Sequence, residues 1–234
     1  MNIYSALKIP RTIFSTESQY NGKIDVIEIG RTRKIKVGGI DQSLNWDSPV
    51  CSKLVWGKLV DLLQREEPEA GRVLILGLGG GTIQNLISRK MPNTHIVSVE
   101  IDSVMADVAK TYFGISELPN HRLIIGDALR VVTCPEDFDL SKVSFNVAIV
   151  DIYIGENYPD LGKSGNFIDS VRDMVVPGGL VIFNRIYTTR HQEDVDLFVN
   201  QVSDFLVDVK TEIVTGYTNS DNVLVYGRIF EHQL

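Results

Sequence analysis

The chain has 234 residues, with 44% hydrophobic and 23% charged residues, which is ordinary for a globular protein. This length suits one large α/β domain with a small appendage. The net charge of -7 argues against a general nucleic-acid binder, which normally carries a basic face.

Signals for a membrane, a signal peptide or a metal are also missing from the sequence. No apolar stretch approaches the ~20 residues that span a bilayer, and the amino terminus has no signal-peptide core. We therefore expect a cytoplasmic protein without a membrane partner. Cys51 and Cys134 are far apart and the four histidines show no ligand spacing, so we predict no structural metal.

The first part of the chain, residues 1–47, predicts a small β-rich segment ahead of a main domain over residues 48–234. Asn21-Gly22 separates two short β-rich stretches, which is a strong hairpin signal. An antiparallel sheet of this size is too small to fold alone. We expect it to pack on the main domain or on a second subunit.

One basic run lies inside this segment, and its charged members are Arg31, Arg33, Lys34 and Lys36. They alternate with Thr32 and Ile35, which is the pattern of a strand with one polar face. We interpret the run as a solvated strand face rather than as a site for a polyanion.

A helix is predicted next, because apolar residues recur at helical spacing through "SPVCSKLVWGKLVDLLQ". Asp47 or Ser48 is expected to cap its start, and Pro49 suits its first turn. The segment "REEPEAG" then ends the helix and leads into the first strand of the main domain.

Strands and helices alternate regularly in the main domain, which predicts a Rossmann-like, doubly wound, mostly parallel sheet of seven strands. The predicted strands are 73–76, 96–100, 123–125, 147–151 and 180–184. The predicted helices are 82–90, 103–113, 128–132, 166–175 and 192–207.

The end of the chain breaks this alternation. "VKTEIVT" and "VLVYGRIF" read as strands, and the loop "GYTNSDN" between them is too short for a crossover helix. The last two strands are therefore predicted to pair as an antiparallel hairpin. A parallel sheet closed in this way resembles the fold of S-adenosylmethionine-dependent transferases.

A glycine-rich turn follows the first of these parallel strands. Glycine permits positive φ and lets a ligand approach the backbone, and the next helix offers free N–H groups. A nicotinamide-binding fingerprint would place its third glycine where this chain has Thr82. The predicted cofactor-binding glycines of this turn are Gly77, Gly79, Gly80 and Gly81.

Three acidic residues end the following strands, at the edge where parallel strands place their ligands. Glu100 is predicted to accept both ribose hydroxyls of a nucleoside, with Ile101 beside it, while Asp102 suits a helix cap. Asp127 is predicted to accept an adenine amino group while the Ala128 N–H donates to the ring, with helix capping as the competing role.

Asp151 ends the fourth strand, beside the point where the strand order reverses. It is the predicted contact for the reacting end of the cofactor and our candidate catalytic residue. The segment "IYIGENYPDLGKSG" follows it and is long enough to form a lid, in which Glu156 and Asp160 are candidate bases.

Together, "VGGIDQS", the glycine turn, "VEID", "GDA", "VDIY" and "VPGG" resemble the spermidine synthase family of S-adenosylmethionine-dependent transferases. The resemblance covers most of the chain, from about Tyr20 to Arg228. It implies that Gln42 lies near the tail of the cofactor, that Glu100 holds the ribose, and that Asp127 holds the adenine amino group. It also implies a homodimer.

Three positions depart from that family. An aspartate that holds the cofactor's amino group is Gly80 here, and an aspartate that deprotonates the attacking amine is Ile154. A Tyr-Gln-Glu stretch that shapes the polyamine site is 51–53, Cys-Ser-Lys. A polyamine is a cation, and an amine nucleophile needs a base, so these changes remove what aminopropyl transfer requires.

The sequence therefore predicts a transferase that binds S-adenosylmethionine and transfers its methyl group to an acceptor that the residues do not identify. One alternative is an aminopropyltransferase that uses decarboxylated S-adenosylmethionine and a displaced base. Another is a nucleoside-binding protein without catalysis. Methyl transfer is favoured because it needs little beyond alignment of the reacting atoms.

Overall fold

The computed structural model describes residues 9–153, 158–159, 165–187, 192–216 and 221–231. The strands are β1 (Arg11–Ser18), β2 (Gly22–Ile29), β3 (Thr32–Val37), β4 (Ile40–Leu44), β5 (Arg72–Leu76), β6 (His95–Glu100), β7 (His121–Ile125), β8 (Phe145–Val150), β9 (Val175–Ile186), β10 (Val207–Val214) and β11 (Asn222–Arg228). The α-helices are α1 (Val55–Glu66), α2 (Thr82–Lys90), α3 (Ser103–Phe113), α4 (Ala128–Thr133), α5 (Gly165–Met174) and α6 (Gln192–Val202). Short 3₁₀ turns cover Cys51–Lys53, Ile115–Glu117 and Pro135–Phe138.

Within the described residues, seven strands form the main sheet in the order β10-β11-β9-β8-β5-β6-β7. The strands from β9 to β7 pair in parallel, whereas β11 pairs antiparallel with both β9 and β10. The predicted mostly parallel sheet with an antiparallel C-terminal hairpin is therefore confirmed. The short connection between β10 and β11 leaves no room for a crossover, which forces the reversal.

Both faces of the main sheet are buried, as expected for a doubly wound fold. Along β5, Leu74 and Leu76 belong to one apolar core, and Val73 and Ile75 belong to the core on the opposite face. All four side chains have 0% exposure. This double burial explains why the strands read as continuous apolar runs in the sequence.

The first four strands form a separate antiparallel sheet in the order β1-β2-β3-β4. Its apolar face packs on α3, with Ile24, Val26 and Ile35 in one cluster with Met105 and Val108. The chain itself therefore covers the face that, from the sequence, needed either the main domain or a second subunit. This packing removes the reason for expecting a homodimer from the small sheet, and the homodimer stays a prediction.

The predicted start of the first helix is wrong. Instead of a helix from Pro49, one 3₁₀ turn is followed by Leu54 in an extended conformation, and α1 begins at Val55. The hydroxyl of Ser48 lies 2.8 Å from that of Thr32 on β3, so Ser48 is held by the small sheet and caps no helix. The same hydroxyl accepts from the Val50 N–H at 3.4 Å, so its local bond lies before the 3₁₀ turn rather than at the start of α1.

Two further boundaries differ from the prediction. Helix α6 ends at Val202 rather than near residue 207, and β10 begins at Val207. Strand β9 begins at Val175, before the predicted Pro-Gly-Gly turn, and its register with β8 shifts between Phe145 and Val147. The turn is thus accommodated as an irregularity within one long strand.

The two cysteines should differ sharply in reactivity. Burial raises the pKa of the Cys51 thiol to about 11, and the residue is 2% exposed, whereas Cys134 is half-buried. At pH 8 only about a thousandth of Cys51 is then thiolate, which is the reactive form. We expect iodoacetamide to modify Cys134 well before Cys51, as measured by peptide mass spectrometry. Equal rates in the folded protein would contradict this, while equal rates in urea are the expected control.

Candidate functional site

The predicted site residues meet at the carboxyl edge of the main sheet. In the parallel register, Leu76 pairs with Val99 on one side and Val150 on the other, and Glu100 pairs with Ile125. The residues that follow these strand ends line one cleft with a volume of about 1220 Å³. The predicted site residues that line it are Gln42, Gly77, Gly79, Glu100, Ile101, Asp127, Ala128 and Asp151.

The cleft lies at the point where the strand order reverses. The chain runs outward from β5 to β6 and β7, and then returns to place β8 on the other side of β5. The loops after β5 and β8 therefore diverge from each other and leave a crevice, which is where open α/β sheets bind ligands.

Two glycines of the turn are required by the geometry of the cleft. Gly77 has φ +102°, and a Cβ there would lie 2.2 Å from the backbone oxygen of Asp151. Gly79 has φ +53°, and a Cβ there would lie 3.3 Å from the backbone oxygen of Gln42. The turn is thus held between β4 and the loop after β8, with its backbone facing the cleft.

The other two glycines occupy different places than expected. Gly80 and Gly81 are not among the residues that line the cleft. A Cβ on Gly80 would lie 3.0 Å from the Ser43 side chain, and Gly81, at the N-cap of α2, packs against Ile115. Because these two glycines have no side chain, β4 and the 3₁₀ turn after α3 can approach the glycine turn closely. Contact with a cofactor stays a prediction for both.

Glu100 is fixed by backbone donors on both sides. Its Oε2 accepts from the Leu78 N–H of the glycine turn at 3.1 Å, and its Oε1 accepts from the Asp102 N–H at 2.9 Å. Burial raises the pKa of the Glu100 carboxyl, and these two N–H groups oppose the rise. Each carboxylate oxygen has a second lone pair, so the group can also accept a ribose hydroxyl.

Asp102 caps α3, as predicted, through its Oδ1, which accepts from the Val104 N–H at 2.9 Å. Its other oxygen accepts from the Ser18 hydroxyl and from the Asn21 amide. Asn21 lies in the hairpin between β1 and β2 and also lines the cleft. The small sheet is therefore tied to the backbone segment that holds Glu100.

Asp127 takes the capping role that the sequence left open, and its contact with an adenine stays a prediction. It caps α4 through Oδ1, which accepts from the Leu129 N–H at 2.9 Å, and it lines the cleft with Ala128. The capping bond uses one of its two carboxylate oxygens. Ile101 also lines the cleft and is 37% exposed, so it offers an apolar surface to a ligand.

Asp151 is held by an amide pair that sequence reasoning missed. Its Oδ1 accepts from the Asn184 amide at 2.7 Å, and the Asn184 oxygen accepts from the Asn222 amide at 3.0 Å. Burial raises the pKa of the Asp151 carboxyl, and the Asn184 bond opposes the rise. Asn184 follows the buried apolar stretch of β9 and is 3% exposed; this buried polar residue was the available signal.

The wall beyond Asp151 is lined by neutral polar and apolar groups together with Asp221. The Tyr153 hydroxyl donates to the Asn184 carbonyl and accepts from the Ile186 N–H, so it joins the segment after β8 to β9. Asp221 bonds the Gly216 N–H at 2.9 Å. Ile154, which replaces the family's aspartate, and the candidate bases Glu156 and Asp160 lie outside the described residues.

Two further findings concern metal ions and membranes. Among the described residues, no three acidic, histidine or cysteine side chains gather in a group that could hold a metal ion. None of the helices in these residues has both the length and the apolar character needed to cross a membrane.

This strand order, with a glycine turn and strand-end carboxylates around a cleft, defines a Rossmann-like α/β protein whose cleft lies where such sheets bind their ligands. Residues 57–232 match the spermine/spermidine synthase domain. This chain belongs to that family.

Relatives of the chain include two kinds of transferase. It is 28% identical over 132 residues to a polyamine aminopropyltransferase of Vibrio vulnificus, covering 56% of this chain and 42% of that protein. It is 29% identical over 133 residues to an eEF1A lysine and N-terminal methyltransferase homolog of Drosophila pseudoobscura pseudoobscura, covering 55% of this chain and 20% of that protein. The matched regions are thus less than half of either relative's length.

A solved structure confirms the fold over nearly the whole chain. Spermidine synthase from Thermotoga maritima superposes with a TM-score of 0.74 at 17% identity, covering 93% of this chain and 72% of that one. The shared architecture includes both the small antiparallel sheet and the main sheet.

Proposed function

We propose that this protein binds S-adenosylmethionine and transfers its methyl group to a small acceptor. The observation that supports this most directly is the convergence of Gly77, Glu100, Asp127 and Asp151 on one cleft. Glu100 would hold the ribose, Asp127 and Ala128 the adenine, and the glycine turn the amino-acid tail. The cofactor supplies the activated methyl group when it is bound.

The space around Gly80 favours methyl transfer over aminopropyl transfer. The spermidine synthases that the chain resembles carry an aspartate here, which holds the cofactor's amino group. In this protein a Cβ at Gly80 would already be 3.0 Å from Ser43 and 3.1 Å from Ile35. The small sheet therefore fills the space that a carboxylate side chain would need.

The acceptor side of the cleft also suits a neutral group better than a polycation. Its described lining combines amides and hydroxyls with Trp56 and Leu54, and its carboxylates Asp151 and Asp221 are both engaged in hydrogen bonds. Within the described lining of this side, these two carboxylates are the only groups that could attract the ammonium groups of a polyamine. Methyl transfer requires mainly alignment of the acceptor with the methyl carbon, which rigid strand ends provide.

Asp151 is our candidate for orienting the acceptor. Its Oδ1 is engaged by Asn184, which fixes the plane of the carboxylate at the reacting end. A raised pKa makes this carboxylate a better proton acceptor than an ordinary aspartate. An acceptor N–H or O–H bonded to Asp151 would be aligned and could lose its proton there.

Calorimetric titration of the purified protein with S-adenosylmethionine and S-adenosylhomocysteine tests the proposal. We expect both to bind, and we expect methyl-labelled S-adenosylmethionine to label an acceptor in a small-molecule extract only when the protein is present. The informative variant is Asp151→Asn, whose side-chain oxygen can still accept from the Asn184 amide; it should bind S-adenosylhomocysteine within a few-fold of the wild type and lose labelling. Failure to bind either nucleoside would refute the proposal.

The aminopropyltransferase alternative rests on the similarity to the Vibrio protein. Decarboxylated S-adenosylmethionine and putrescine should give no spermidine with this chain, as measured by chromatography. Spermidine formation would contradict our assignment. Full cofactor affinity without transfer to any acceptor would favour a nucleoside-binding protein without catalysis.

A further inference from the structure

Two residues of the basic run that the sequence placed on a solvated face, Lys34 and Lys36, line the cleft. Strand β3 alternates, so that Ile35 and Val37 are buried against α3 while Thr32, Lys34 and Lys36 line the cleft. The Lys34 side chain is only 18% exposed. Two ammonium groups therefore stand at the wall of a site whose other charged groups are carboxylates.

These two lysines share one carboxylate. Lys34 Nζ lies 2.8 Å from one oxygen of Asp41, and Lys36 Nζ lies 2.8 Å from the other. Lys36 also donates to the Gly39 carbonyl at 2.7 Å. One negative charge against two positive charges leaves a net charge of +1 in this cluster.

The lysine cluster, Lys34, Lys36 and Asp41, lies on the side of the glycine turn. Strand β4 separates β3 from the turn, and the backbone of its Gln42 is the nearest group to the Gly79 Cβ position at 3.3 Å. Gln42, Gly79 and the cluster all line the same cleft. The tail of a cofactor bound on the glycine turn would thus extend toward a positive wall.

We propose that Lys34 and Lys36 form a subsite for the carboxylate of the cofactor's amino-acid tail, so that the protein selects S-adenosylmethionine over its decarboxylated form. This inference rests on the proposed function. It adds a reason for the choice of cofactor. The wall near the tail is cationic, and Gly80 replaces the aspartate that would hold the amino group of a decarboxylated tail. Charge-assisted hydrogen bonds from an ammonium group to a carboxylate are stronger than neutral ones.

The test compares two ligands that differ only in this carboxylate, S-adenosylhomocysteine and decarboxylated S-adenosylhomocysteine, by calorimetry. The wild type should prefer the carboxylated ligand by about tenfold or more. The double variant Lys34→Met, Lys36→Met should lose that preference, while its affinity for the decarboxylated ligand is kept. Asp41→Asn removes the competing carboxylate and should increase the preference.

The matched control is Lys23→Met, because Lys23 is an exposed lysine of β2 that pairs with Asp25 away from the cleft. It should leave both affinities unchanged, and melting temperatures should confirm that all variants fold. If the double variant bound both ligands more weakly by the same factor, or kept the preference for the carboxylated ligand, the carboxylate subsite alone would be overturned. A wild type that binds neither ligand would overturn the proposed function, and this subsite with it.

Discussion

Replacing Gly77 with alanine is expected to destabilise the fold by about 4 kcal/mol, because it combines backbone strain with a steric clash. Gly77 has φ +102°, and the new Cβ would lie 2.2 Å from the Asp151 backbone oxygen and 2.9 Å from its carbonyl carbon. Both are backbone atoms, so relief requires the loops after β5 and β8 to separate. For a chain of this size we expect the melting temperature to fall by about 10 °C.

Gly71→Ala is the matched control for this experiment. Gly71 directly precedes β5, and a Cβ there would make an ordinary contact of 3.5 Å with the Asn146 side chain. It should melt within a few degrees of the wild type. A Gly77→Ala protein with the wild-type melting temperature would show that the two loops are not in the close contact that defines the cleft.

Replacing Glu100 with alanine is expected to weaken the binding of S-adenosylhomocysteine by about 2 kcal/mol, or roughly 30-fold, through the loss of two charge-assisted hydrogen bonds to the ribose. The variant also removes the acceptor of the Leu78 N–H, which helps to hold the glycine turn. Calorimetry measures the change. Exposed Glu69 provides the control, since Glu69→Gln should bind as the wild type does. Unchanged affinity in Glu100→Ala would refute the ribose assignment.

The pH dependence of binding gives a second measure of the same group. Because burial raises the pKa of Glu100, its ionised form is disfavoured in the free protein, and its contribution to folding stability falls as the pH rises through that pKa. The affinity for the nucleoside should change with pH in the opposite direction, since ribose hydroxyls donate to the ionised carboxylate. Affinity should therefore decline on acidification at a higher pH than an ordinary glutamate would give. Glu100→Gln should remove this decline, and an identical pH profile in that variant would assign it elsewhere.

The main sheet could be predicted because its signals are local and repeated. Each buried strand reads as a short apolar run, and the run ends where the sheet ends, so Gly77, Glu100, Asp127 and Asp151 mark its carboxyl edge in the sequence. Parallel strands carry their carboxyl ends to one edge, so the sequence alone predicts that these four residues lie together. The antiparallel hairpin followed from the length of one loop.

Contacts between distant segments could not be predicted in this way. Ser48 contacts Thr32, which lies 16 residues away, and Asp151 is held by Asn184, which lies 33 residues away. Neither pair leaves a periodic signal, because periodicity reports only the environment of neighbouring residues. Capping rules likewise favoured Asp47 or Ser48 for a helix that begins seven residues beyond Ser48.

The sequence by itself thus determined the class of fold and the residues at the strand ends, since these depend on chain-local patterns of burial and turn chemistry. Tertiary structure decided how the small sheet completes the site. Packing on α3 buries one face of β3, and strand alternation then turns Lys34 and Lys36 toward the cleft. The same packing brings Ser43 against Gly80. Which face of a strand meets solvent depends on what covers the other face, and only the folded chain supplies that partner.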